Sequence, residues 1–205
     1  MNKLLLRKQD RSLVEVNEIP GVKVQFIGND STVTISESSL FKNVTLRLAP
    51  KSMVDIGTPY KWGINNLVVE MGGAGIRKSL KIGNGVSISS ATLMMQNESD
   101  LSIEIGDDCL FSSGVVIRPG DGHRIFDAET GILLNRTQKV VLERKVWIGS
   151  GVTILKGVHL QPETIVGSQS LVTRGHYPPN IAMGGNPAKE IRRGVKWSFD
   201  FLPTD

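Results

Sequence analysis

The chain carries three histidines and one cysteine, and His123 has the most reactive surroundings. It lies within Asp121-Gly122-His123-Arg124-Ile125-Phe126-Asp127, with one carboxylate two residues before it and another four after. Imidazole is the side chain best suited to take a proton at neutral pH. A carboxylate beside it can orient the ring and stabilise its protonated form. On spacing alone, the plainer reading of His123 is a loop histidine hydrogen-bonded to its own turn, and that of Asp121 is a turn former beside Gly122. His159 and His176 follow His123 by 36 residues and then a further 17. A three-histidine zinc site needs a closely spaced pair, so this spacing does not read as metal binding. The single Cys109 excludes an intramolecular disulfide and points to a reducing compartment. Gly72-Gly73-Ala74-Gly75 lacks the Lys-Ser/Thr of a phosphate loop and reads as plain loop.

The elements that must position these residues are marked by a six-residue rhythm. Large aliphatics recur at Leu142, Ile148, Ile154, Leu160, Val166 and Val172, with Val146, Val152, Val158, Thr164 and Ser170 between them. The same beat runs through Ile105, Phe111 and Ile117, with Cys109 and Val115 in the secondary slot, and through Ile82 to Ile88. Period six fits neither a 3.6-residue helix nor an alternating strand, and predicts a parallel β-helix of short flat faces. The first hexad position points inward and stacks on its counterpart one coil away. The small fifth position also faces in, which makes Cys109 core packing rather than a nucleophile. The second position, as in Ile148-Gly149 and Ile105-Gly106, sits near a corner, and Trp147 at position six lies outside.

Composition bounds the rest. At 205 residues and 40% hydrophobic the chain can form one domain with a small N-terminal subdivision. Scarce aromatics and 22 glycines suit stacked aliphatic layers joined by tight corners. The net charge of +4 is mild and suits an anionic cofactor or acidic glycan about as well as it suits nucleic acid. Three leucines near Met1 are too few for a signal-peptide core or a membrane span.

The pattern divides the chain into a lead-in with degenerate capping coils (1–60), a β-helix domain (61–177) with an ejected loop at about 121–139, and a closing segment (178–205). Residues 1–20 read as irregular or briefly helical, and 57–81 as a loop-rich coil. A short helix is expected from Pro187 to Arg193, with Asn186 as cap and Gly194 as stop.

Four landmarks resemble the hexapeptide-repeat acetyltransferases, whose shared fold is a left-handed parallel β-helix. They are Asp121-Gly122-His123, Val146-Trp147-Ile148-Gly149, Val166-Gly167-Ser168-Gln169-Ser170-Leu171-Val172-Thr173, and Pro178-Pro179-Asn180 through Gly185-Asn186-Pro187-Ala188-Lys189. Residues 121–127, Glu129-Thr130-Gly131 and Val195-Lys196-Trp197 look like the branch that O-acetylates sugars and capsule polysaccharides. The resemblance implies acetyl-CoA as acyl donor, His123 as general base and Trp147 near the thioester; Trp147 also reads as a patch covered by a neighbouring subunit. It implies pantetheine passing Ser150, Ser168 and Thr173, with Lys189 and Arg192 meeting the phosphates and Arg174 and Arg193 as weaker candidates. Asp121 or Asp127 could assist His123, and Arg118 could meet an acidic acceptor. It further implies a homotrimer with active sites between subunits, while the lone cysteine and short apolar start point to the cytoplasm and the histidine spacing to no metal. A different acceptor (serine or an amino-sugar nitrogen) and a non-catalytic scaffold remain as alternatives.

Overall fold

The computed structural model describes residues 1–200, and the inward hexad positions become three stacked ladders. The chain winds through three parallel sheets in turn, of nine, eight and seven strands, which form the faces of a triangular prism. One full coil runs Val140–Leu142 on the nine-stranded face, Trp147–Ile148 on the eight-stranded face and Thr153–Leu155 on the seven-stranded face. The next repeats it at Val158–Leu160, Ile165–Val166 and Leu171–Val172. Phe111, Ile148, Val166 and Met183 stack in register inside the eight-stranded face, as Ile117, Ile154 and Val172 do inside the seven-stranded one. All are buried, and each such aliphatic contributes about 1.5–3 kcal/mol of transfer free energy. Cys109 is buried as well, and burial pushes its thiol up to about 12.

Corners are tight because successive coils approach closely. A Cβ on Gly149 would lie 2.7 Å from the Ser168 backbone nitrogen and 2.8 Å from the Val166 carbonyl oxygen. That explains the glycine after the inward isoleucine.

Three expectations are corrected. The lead-in is not irregular or helical: Lys3–Arg7 joins the nine-stranded sheet in parallel beside Thr32–Ser36, and Leu13–Glu15 folds back on it antiparallel. Residues 57–81 form a regular coil with strands Pro59–Asn65, Leu67–Glu70 and Ser79–Ile82. Pro59 and Trp62 disguised it because the pairing shifts from Val86↔Pro59 to Ile88↔Ile64, which pushes residues 60–62 outward as a bulge. The expected helix at 187–193 is instead a strand, Ala188–Arg193, antiparallel to Ile181–Gly185. Its helix-forming composition loses to the open sheet edge beside it, which offers backbone partners that an isolated short helix lacks. No α-helix occurs among the described residues.

Candidate functional site

The ejected loop leaves the prism after Arg118, the last residue of Val115–Arg118 on the seven-stranded face, and returns at Val140 on the nine-stranded face. A Phe126↔Leu133 bridge folds its middle into a hairpin. Asp127 closes the hairpin turn, accepting from Thr130 N at 2.7 Å, Thr130 Oγ1 at 2.8 Å and Glu129 N at 3.1 Å. Those donors hold its carboxyl below the usual range. The carboxylate is therefore engaged within its own turn.

Asp121 is also occupied. Its Oδ2 accepts from the Lys156 ammonium and, at 2.8 Å, from Asn135 Nδ2. Desolvation pushes this carboxyl up, but the bonds from Lys156 and Asn135 and the charges of Lys156 and Arg118 outweigh it, so it titrates below the ordinary value. The same Asn135 Nδ2 donates to the His123 carbonyl at 2.8 Å, and Asn135 Oδ1 accepts from Ile125 N at 2.7 Å. Asp121 thus reaches His123 through Asn135 rather than through the ring.

The His123 side chain is exposed and lines a groove of about 670 Å³ with Asn97, Glu98, Arg124, Asn135 and Arg136. Arg118 shares an adjoining recess with His123. Neither Arg124 nor Arg136 forms a salt bridge among the described residues. The Gly72–Gly75 loop contributes Ala74 and Gly75 to the groove wall. Behind it Gly120 packs against Glu98, whose Oε2 a Cβ there would meet at 1.6 Å.

Trp147 lies elsewhere. It projects from the eight-stranded face and is 37% exposed, with its ring 6.0 Å from that of Trp197. The corner bearing the His123 loop joins the other two faces, so within one chain His123 and Trp147 sit on opposite sides of the prism. Trp197 is buried, donates to the Lys145 carbonyl at 2.7 Å, and contacts Phe199, which stacks on Tyr60 and meets Trp62. All three tryptophans therefore gather on one face, a grouping that no sequence spacing announced.

The residues expected to hold the donor divide between two corners. Ser150 and Ser168 follow the eight-stranded face, and Ser168 Oγ accepts from Ser150 N at 3.2 Å. Thr173 and Arg174 lie on the corner of the His123 loop, where the Thr173 carbonyl accepts from Tyr177 OH at 2.8 Å. Lys189 pairs with Gly184 and Arg192 with Ala182. Both partners flank the buried Met183 and face outward, and directly opposed residues share a side. Lys189 and Arg192 thus share the outer face despite the change from helix to strand. Trp147, Ile165, Ala182 and Arg192 are consecutive partners across four strands, a ladder of about 14 Å at ordinary strand spacing. Arg193 pairs instead with Glu190 at 2.6 Å.

His159 and His176, far apart in sequence, are neighbours across adjacent coils. Their Nδ1 atoms lie 3.1 Å apart, and His159 Nε2 is 2.6 Å from Glu143 Oε1. Among the described residues no group of three or more His, Cys, Asp or Glu side chains could hold a metal ion.

Asn135, Lys156, Arg124, Arg136 and the histidine pair were missed from sequence. Only the pair left a usable trace, because its 17-residue gap is close to the 18 residues of one coil.

No family model matches the chain. It is similar to a polysialic acid O-acetyltransferase of Escherichia coli O1:K1, 33% identical over 97 residues, 47% of this chain and 31% of that protein. The chain thus matches about a third of that relative's length. A polysialic acid O-acetyltransferase of Neisseria meningitidis is 29% identical over 186 residues, 83% of this chain and 86% of that protein. Among solved structures, the polysialic-acid-specific acetyltransferase NeuO superposes with a TM-score of 0.65 at 24% identity, covering 97% of this chain and 85% of that one. The prism is the left-handed parallel β-helix of that structure. The chain is similar to hexapeptide-repeat acetyltransferases of the polysaccharide O-acetyltransferase branch.

Proposed function

We propose that the chain transfers the acetyl group of acetyl-CoA to a hydroxyl of an acidic sugar in a bacterial surface glycan. The observation that carries this reading is the exposed imidazole of His123, standing in a groove beside two guanidinium groups that form no salt bridge among the described residues. Such cations suit a carboxylated acceptor, since guanidinium binds carboxylate through paired, charge-assisted hydrogen bonds. The relatives named as polysialic acid O-acetyltransferases support the same acceptor class.

The chemistry is direct transfer. His123 removes the proton as the acceptor oxygen attacks the thioester carbonyl carbon. The tetrahedral intermediate collapses with cleavage of the C–S bond, and the imidazolium returns its proton to the departing thiolate. No serine or cysteine is placed as a covalent relay, and Cys109 is buried.

The donor lies along the outward ladder from Trp147 to Arg192, with the thioester near the indole and the phosphates near Lys189 and Arg192. Ser150 and Ser168 border that path. Because His123 and Trp147 lie on opposite sides of one prism, a working site needs the loop of one chain against the eight-stranded face of another. A closed homotrimer satisfies this, with Thr173 on the corner that supplies His123. The loop's exposed Ile125, Phe126, Ile132 and Leu134 are suited to burial in that contact. No helix among the described residues is long and apolar enough to cross a membrane. Use of acetyl-CoA assigns the reaction to the cytoplasm.

Titration calorimetry with acetyl-CoA tests the donor assignment without knowledge of the acceptor. The expected result is one site per chain, weakened at least tenfold, about 1.4 kcal/mol, by combined Lys189→Ala and Arg192→Ala. No heat and no thermal stabilisation at millimolar acetyl-CoA would contradict it.

A further inference from the structure

Asn135 lies across the base of the His123 loop, and each polar atom of its side chain is used there. Oδ1 accepts the Ile125 amide at 2.7 Å, while Nδ2 donates to the His123 carbonyl and the Asp121 carboxylate, both at 2.8 Å. The loop is therefore gripped through the Asp121 side chain before His123 and through the backbone carbonyl of His123 and amide of Ile125 after its side chain. Asp121 is bound in turn by the Lys156 ammonium, which also donates to the Asn135 carbonyl at 3.2 Å. Lys156 directly follows Thr153–Leu155, a strand of the coil wound after the loop. The three residues thus tie a mobile class of element to a rigid one.

We infer that Asn135 is a positioning residue for His123, anchored to the solenoid through Asp121 and Lys156. This rests on the reading of His123 as general base. The ring makes no side-chain hydrogen bond of its own among the described residues, so its location depends on its backbone. A misplacement of about 1 Å costs on the order of 10²-fold in rate. Only an amide serves at position 135: aspartate would lose both donations and set a second carboxylate against Asp121, and alanine would release all three bonds.

The anchor has a pH signature. The groups facing Asp121 are Lys156, Arg118 and Asn135, and together they keep its carboxyl below the ordinary value. The anchor is complete at neutral pH and is lost as pH falls through that lowered value. Removing Lys156 moves the loss to higher pH.

The test compares Asn135→Ala, Lys156→Met and Lys156→Arg in the full chain. Asn135→Ala is expected to lower kcat about 10²-fold with the acetyl-CoA KM within about twofold, a split that marks lost transition-state positioning. Lys156→Met should lower kcat and make the protection of the Ile125 amide fall at higher pH than in wild type, while Lys156→Arg restores both. Exchange of the Ile125 amide should accelerate at least tenfold in Asn135→Ala. Wild-type kcat in Asn135→Ala, or a pH dependence of Ile125 protection unmoved by Lys156→Met, would overturn the inference. If the wild-type chain transfers no acetyl group, the proposed function fails instead. The amide exchange then decides alone, with unchanged Ile125 exchange overturning the tie and acceleration supporting it.

Discussion

At the scale of single residues, the division is between side chains already satisfied and those left free. Asp127 is committed to its turn and Asp121 to Lys156 and Asn135, whereas His123, Arg124 and Arg136 line the groove without ionic partners among the described residues. That contrast distinguishes scaffold from chemistry better than residue type does. The cysteine is a clear case. Burial pushes the Cys109 thiol up to about 12, so almost no thiolate exists at neutral pH. A thiol reagent at pH 8 should leave native protein unlabelled and react once per chain after unfolding. Prompt native labelling would show that this coil opens far more readily than its packing implies.

At the scale of elements, legibility followed regularity. The hexads from Leu142 to Val172 were readable because each face is two or three residues long and every first hexad position is a buried aliphatic. The bulged Pro59–Asn65 strand was not, since its extra outward residues break the count. The closing strand misled because Asn186, Pro187 and the following Ala188-Lys189-Glu190 satisfy helix rules locally, while the decisive partner, the edge at Ile181–Gly185, is a tertiary feature. The outward place of Trp147 could be read from the hexad count, whereas His123 stood out only through the resemblance of its Asp-Gly-His element. Asn135 and Lys156 could not be picked out, because their ties to Asp121 span 14 and 35 residues without periodicity. The corner loops add one element that the repeat does not predict, the buried Lys78. Its ammonium donates to the Met71 carbonyl at 2.7 Å and the Gly72 carbonyl at 3.3 Å, fixing the start of the loop that walls the groove. Burial lowers this lysine to about 8, against the partial opposition of Glu70 and Glu98. Between about pH 8 and its ordinary 10.5 the unfolded chain holds more of this proton, so this group's contribution to stability rises with pH across the window. The thermal midpoint of wild type should therefore gain on that of Lys78→Met from pH 8 to 10.5. Parallel curves would contradict the burial of a charged lysine.

At the scale of the whole molecule, the prism separates the two halves of the proposed site. The eight-stranded face holds Trp147 and the Lys189–Arg192 strand, and the opposite corner holds His123. If sites form between chains, mixing inactive His123→Ala with inactive Trp147→Ala before refolding should restore activity, since some interfaces then pair an intact loop with an intact indole. Absence of any recovery from co-refolded mixtures would place both residues in one chain's site. The most direct test of the central claim is transfer itself: acetyl-CoA carrying a labelled acetyl group, incubated with an acidic surface polysaccharide and the purified chain. The account predicts labelled O-acetyl ester on the glycan together with free CoA thiol, and a His123→Ala rate reduced about 10²–10⁴-fold with acetyl-CoA binding retained. Undiminished transfer by His123→Ala would contradict the assignment of His123 as the base, and acetyl-CoA binding without transfer to any sugar hydroxyl would contradict the function itself.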